Sequence, residues 1–445
     1  MHRLVVVIAV SLMCSCGLSP SFANAGPADF GATVGGAKDI GQARKVIAQG
    51  QVPASSMVFA EGLFAEHDFA AEGDGCTELF CARPAVGKYR LRATNTEETF
   101  VHVALRSGLG PQWKRPPADL MAVVDRSAMM SVDMKETLHA VTVMVDNLRD
   151  DDRFGLVVYD DRATVLIPLG PVTDKEATKK TIRDVTVRGS TAGQVPAVEL
   201  ATTELTNARQ SGRMSRIMML ACALPPTGEG RFDTVVKDNA NSGIALSFFG
   251  ILAGGGYDSA RYFTSQRGGN AYFLGSLKDI ETVFDTDFDF VITPLAYDFS
   301  LSLSLGTVGV KRVWGLPNGT QTLEATTIFP SRRKGAIVMQ LDAAPAADGV
   351  VKLAFEPATD PTRRSEIAPV LSETKGGVRK VVALVNLADG LKKALELWMT
   401  GAKPGARDEV TSLLADTKAE AEALDDAGLR NEVAMLEQLL TNMSK

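Results

Sequence analysis

Between residues 119 and about 287, short apolar runs alternate with amphipathic stretches, and no other pattern in the 445-residue chain constrains its fold as strongly. The runs 119–125, 153–159, 163–167, 216–221, 244–251 and 271–274 have strand length. The stretches 130–149, 174–186, 195–209, 231–240, 258–267 and 277–285 have helical spacing. This alternation predicts an α/β, doubly wound, mainly parallel sheet covered on both faces. The run 163–167 follows 153–159 after only Asp160-Asp161-Arg162, so it is expected as an antiparallel edge. Ligands of such sheets bind at the carboxyl ends of the strands. There the first run, Leu120-Met121-Ala122-Val123-Val124, ends on Asp125-Arg126-Ser127-Ala128-Met129.

The flanks have a different character. Residues 39–49 have helical spacing, and 89–105 alternate like paired strands with Asn95 near the turn. Downstream, Phe299-Ser300-Leu301-Ser302-Leu303-Ser304-Leu305 alternates strictly, Asn318-Gly319 signals a hairpin, and 321–329, 335–341 and 350–356 read as further strands. These strands predict a β-sandwich over 288–385. The N-terminal helix and β segment, 39–117, is expected to join it, with the α/β domain of 118–287 set between. Residues 386–445 read as C-terminal helices, with Val410, Leu413, Leu414, Ala421 and Leu424 on one helical face. A second face carries Leu429, Val433, Leu436, Leu440 and Met443. A helical hairpin packed on its neighbours fits this short, interrupted pattern better than an oligomerising coiled coil.

Residues 1–25 read as a signal peptide. His2 and Arg3 precede the apolar stretch 4–13, which is too short to span a bilayer, and Ala23-Asn24-Ala25 offers a cleavage site. The alternatives are a buried N-terminal helix, or a lipoprotein signal cut before Cys16 with that residue lipidated. The Gly- and Ala-rich stretch 26–38 reads as a flexible tether. Export implies a periplasmic or secreted protein, or one lipid-anchored at the envelope. Net charge is −6, and removing Arg3 with the signal leaves −7, which argues against nucleic acid or an anionic membrane as the main partner. In an oxidising compartment Cys76 and Cys81 are expected to form a disulfide, with free thiols as the alternative. Cys222 is left unpaired and buried.

Several segments in order resemble a von Willebrand factor type A domain, known as a VWA domain. They are residues 120–130, Asp151-Asp152-Arg153-Phe154-Gly155-Leu156-Val157-Val158-Tyr159, Gly189-Ser190-Thr191, Arg216-Ile217-Met218-Met219-Leu220-Ala221-Cys222-Ala223, and the strands at 245–250 and 268–273. The flanking Ala43-Arg44-Lys45-Val46-Ile47-Ala48-Gln49-Gly50-Gln51-Val52-Pro53 and Arg115-Pro116-Pro117-Ala118-Asp119-Leu120 are similar to exported bacterial members. The resemblance implies a metal-ion-dependent adhesion site built from an Asp and two Ser of a first loop, a Thr of a second and an Asp of a third. Asp125, Ser127 and Thr191 match it by position. Met129 stands where the second Ser would be, and Cys222 where the second Asp would be. Thioether and thiol are poor partners for Mg²⁺ or Ca²⁺, so a degenerate site is expected: no cofactor, or a weakly bound Mg²⁺ or Ca²⁺. A Zn²⁺ held by Cys222 and Asp125 is a third reading, and Arg126 is a candidate to neutralise Asp125.

The expected function is non-catalytic binding of a protein partner in the cell envelope. The alternatives are a metal-dependent adhesion protein with a working Mg²⁺ or Ca²⁺ site, a hydrolase using the strand-end cleft, and a purely structural envelope protein. His2, His67, His102 and His139 form no metalloprotease pattern, and no phosphate-binding motif stands between a strand and a helix. Gly189-Ser190-Thr191-Ala192-Gly193 has Thr at the centre of what would be a nucleophile elbow, with no acid–His pair evident. No catalytic residue is expected.

Overall fold

The computed structural model describes residues 30–35, 38, 40–70, 75–110, 113–222, 230–251, 262–316, 323–346, 348–362, 364–373 and 377–445. The expected signal peptide with Cys16, residues 26–29, 36 and 37 of the stretch read as a tether, Ala223, Gly254-Gly255-Gly256 and the expected Asn318-Gly319 turn lie outside them.

Six strands build the central sheet: Ala118–Asp125 (β4), Arg153–Tyr159 (β5), Ala163–Pro171 (β6), Met214–Ala221 (β7), Ile244–Ile251 (β8) and Asn270–Leu274 (β9). Their order is β6-β5-β4-β7-β8-β9, parallel except for β6, which pairs antiparallel with β5 at the edge. Apart from the edge strand β6, which is exposed along one face, the apolar runs become strands because they are buried on both faces. Along β4, Leu120, Ala122 and Val124 enter one core while Met121 and Val123 enter the other. The first core packs against the helix Met134–Asp146 (α3) and residues 280–292, the second against the helices Gln194–Asn207 (α5) and Arg231–Asn241 (α6).

The β-rich flanks form a ten-stranded sheet. Gly31–Val34 (β1), Cys81–Leu91 (β2) and Thr96–Arg106 (β3) precede the α/β unit in sequence. Ala296–Ser304 (β10), Val310–Trp314 (β11), Glu324–Ser331 (β12), Gly335–Leu341 (β13), Val350–Pro357 (β14), Ser365–Ile367 (β15) and Ser372–Glu373 (β16) follow it. Only Gly31↔Arg106 joins β1 to β3, and the two halves of the sheet line one core, with Val101, Val103, Ile337 and Met339 from one and Ala32, Phe299, Ile328 and Leu353 from the other. Asn95 takes a left-handed φ of 58° at the β2–β3 turn. Cys76 and Cys81 form a disulfide at the start of β2.

Two expectations need correction. The stretch read as a tether carries β1, whose partners are β12 and β3. Gly31 is there for close approach, since a Cβ would meet the Arg333 carbonyl oxygen at 1.8 Å. The first C-terminal helix starts nine residues before position 386, as Gly377–Met399, because Val378, Val381, Val382 and Val385 share a helical face despite their β-branching. With Lys403–Ala423 and Ala427–Met443 it makes a three-helix unit. The first of these helices also packs on β2, β3 and the short helix Ala60–Glu66 (α2). No helix among the described residues is long and apolar enough to cross a membrane.

The amino end of β4 is a closed polar network. Asp119, fully buried, accepts from Arg153 Nε and Arg213 Nε at 2.7 and 2.8 Å. Arg115 meets Asp152 through two parallel bonds of 2.7 and 2.6 Å and also pairs with Asp289. Burial alone would raise the Asp152 carboxyl, but the Arg115 guanidinium holds it below the usual range.

Candidate functional site

At the other end of β4 the chain runs from strand into a tight loop. Asp125 is fully buried, and its Oδ1 accepts from the Ser127 amide at 2.8 Å. Its Oδ2 and the Ser127 Oγ are buried and make no hydrogen bond. Burial pushes the Asp125 carboxyl up, with the neighbouring Ser127 and Tyr159 groups opposing. A short 3₁₀ turn, Ala128–Met130, follows. It buries Met130 and turns Met129 outward, 58% exposed, with Val132 79% exposed in the same loop.

The second loop is zipped to the first by backbone bonds. Arg188 N donates to the Arg126 carbonyl at 2.8 Å and Ala128 N to the Gly189 carbonyl at 3.1 Å. Gly189 has φ 69°, and a Cβ there would lie 2.8 Å from Asp161 Oδ2. Ser190 donates to Asp161 through both N and Oγ. Thr191 is half-buried where the chain enters α5. The third loop brings Cys222, just past β7. Burial, with Asp125 and Asp133 adding, pushes its thiol up to about 11, so it is protonated at neutral pH in the metal-free protein.

Arg126 does not neutralise Asp125. Its Nε donates to Asp160 Oδ2 at 2.7 Å, and Arg188 donates to the same oxygen at 2.8 Å. Arg126 stands one residue past the end of β4, and its guanidinium is engaged by Asp160 instead of by its neighbour in sequence.

Two residues were not anticipated. Tyr159, opposite Asp125 in the register, is fully buried with its hydroxyl held far above the usual range by burial, then by Asp125, with Gln194 at its side. Asp133, 5% exposed, leaves Oδ1 without a partner. Burial raises it to about 6, against Lys45 of the helix Gly41–Ala48 (α1) and helped by Glu136. The pattern Asp133-Met134-Lys135-Glu136 looks like a helix cap, yet the Asp133 side chain makes no cap bond to α3.

A tightly held Mg²⁺ or Ca²⁺ needs six or more oxygens. The three loops supply one carboxylate and the hydroxyls of Ser127 and Thr191. Met129 points to solvent, and among the described residues no three His, Cys, Asp or Glu side chains are grouped to hold an ion. Among the described residues, these loops supply only part of the oxygen donors of such a site.

Residues 119–286 match the family model of the von Willebrand factor type A domain, and the chain contains such a domain. The von Willebrand factor type A structure from Catenulispora acidiphila has the same fold at 14% identity, with a TM-score of 0.52, covering 82% of this chain and 91% of that one. The likeness therefore extends beyond the domain into its flanks. An uncharacterised protein of Synechocystis sp. is 28% identical over 98 residues, which span 22% of this chain and 23% of that relative. VWA domains are in general interaction modules, and those with an intact adhesion site bind divalent cations there.

Proposed function

We propose that this is a non-catalytic binding protein of the bacterial cell envelope, exported and either free in the periplasm, secreted or lipid-anchored, that holds a protein partner on the strand-end face of its VWA domain. The observation that carries this reading is the loop after β4, where Met129 and Val132 are exposed beside a buried carboxylate with one bare oxygen. Exposed large apolar side chains on a ligand-binding face supply contact area without a metal bridge. Cation binding is weakened or lost, for want of a second hard carboxylate and a second loop hydroxyl. The experiment is affinity capture from envelope extracts with the mature protein, comparing wild type with Met129→Glu and Val132→Glu. The reading predicts a partner retained by wild type and lost from both variants. Equal retention by all three would remove the strand-end face from the account.

The reading with a working Mg²⁺ or Ca²⁺ site has one observation in its favour, the bare Asp125 Oδ2 and Ser127 Oγ. Calorimetric titration with Mg²⁺, Mn²⁺ and Ca²⁺ decides it: tight binding abolished by Asp125→Ala would favour that alternative. A hydrolase is disfavoured because no base–nucleophile pair accompanies Asp125.

A further inference from the structure

A cavity of about 380 Å³ lies where the parts of the molecule meet, among β1, β12, α1, α2, residues 278–291 and the helix Ala427–Met443. It shares no wall residue with the strand-end site. We propose that it binds a small organic anion, a carboxylate or phosphate monoester carrying an aromatic or branched apolar body, with Lys38 as the charge partner.

Lys38 lines the cavity, and its Nζ lies 5.3 Å from the centroid of the Phe329 ring, which lines it too. It donates to the Val34 carbonyl at 2.7 Å and, at the limit of a hydrogen bond, to Thr33 Oγ1 at 3.5 Å. An ammonium has three donors, and the third has no partner among the described residues. No described carboxylate pairs with it. Burial without a countercharge pulls the amine down to about 7, so the folded protein carries a strained charge that an anion would relieve.

The acidic wall residues are already engaged. Glu66 and Glu432 share Arg44, and Glu432 also meets His67. Asp287 pairs with Arg332, and Asp279 accepts from Ser276 Oγ. The basic ones are less committed. Arg333 donates to the Ala65 carbonyl, and exposed Lys278 has no ion pair among the described residues. The wall's formal charges balance, so the anchor for an anion is Lys38, with Lys278 and Arg333 beside it, rather than the wall as a whole. Phe290, Phe329, Val283 and Val291 provide an apolar wall for the rest of the molecule. A polar anchor set in an apolar, concave site at a junction of domains is the usual build of a small-molecule pocket.

The test is equilibrium binding of benzoate, phenyl phosphate and benzyl alcohol to the full mature chain, followed by ligand-observed NMR. At least one anion should bind saturably, with the better of the two identifying carboxylate or phosphate, and benzyl alcohol about tenfold more weakly or worse. Lys38→Met should weaken the anion by about tenfold or more, and Lys278→Ala by a few-fold, in line with loss of a buried and a rim charge. No saturable binding of either anion, equal affinity for benzyl alcohol, or wild-type affinity in both variants would each overturn the proposal. If Lys38→Met does not unfold cooperatively, Lys278→Ala and Arg333→Ala carry the same comparison, and unchanged affinity in both overturns it.

Discussion

The strand β4 has a buried aspartate at each end, and the two could hardly be treated more differently. Asp119 at the amino end is met by two guanidiniums, beside an Arg115–Asp152 pair joined by two parallel bonds. Asp125 at the carboxyl end is equally buried, yet it has one backbone bond and an orphaned oxygen, while the guanidinium of the adjacent Arg126 serves Asp160. Burying a carboxylate without a partner costs free energy that a paired one recovers. The amino end therefore stabilises the fold. The carboxyl end carries an unrelieved polar group of the kind kept where a surface has work to do.

The difference can be broken or sharpened experimentally. At the paired end, Arg115→Ala leaves Asp152 buried without a countercharge, held only by the Ala118 and Arg149 amides, and should lower stability in urea unfolding by about 3–5 kcal/mol. At the bare end, restoring hard donors with Met129→Ser and Cys222→Asp should create Mg²⁺ binding. Raising Mg²⁺ to about 100 times its Kd would then add about 2.7 kcal/mol in a thermal melt. If the double variant folds but ignores Mg²⁺, the assignment of the loops is wrong. Asp133 should show as a pH effect. Its folded pKa of about 6 lies above the 3.8 of the free group, so the native state takes up the proton more readily than the unfolded chain. Stability should rise as pH falls through about 6 towards 4, by a total of the order of 1 kcal/mol, and Asp133→Asn should remove that rise. The smallest change is expected from Met129→Glu, less than about 0.5 kcal/mol by denaturation, because the side chain is already in solvent.

Much of the α/β unit was legible because strand and helix periods differ and each buried face imposes its own. The run ending on Asp125 and the antiparallel turn at Asp160-Asp161-Arg162 both lie where their patterns predict. β1 was not legible, because glycine chosen for close approach looks in sequence like glycine chosen for flexibility. β11 escaped notice too, since only Val313 and Trp314 of its five residues are buried. At the site, Asp125, Ser127 and Cys222 stand at the strand ends as their positions implied. Tyr159 and Asp133 did not declare themselves, because a strand-terminal Tyr reads as core and an Asp before a helix reads as a cap. The partner of Arg126 could not be read from its neighbour in sequence, since its guanidinium meets Asp160 across the loop at the end of β5.

The proposed function rests on Asp125 being a buried carboxylate without a metal to hold. It is tested most directly by thermal unfolding of wild type and Asp125→Asn at neutral pH, each with and without Mg²⁺. The account predicts that the Asn variant melts at or above the wild-type temperature and that Mg²⁺ shifts neither curve. A wild-type curve that Mg²⁺ moves upward, with the shift lost in Asp125→Asn, would contradict it.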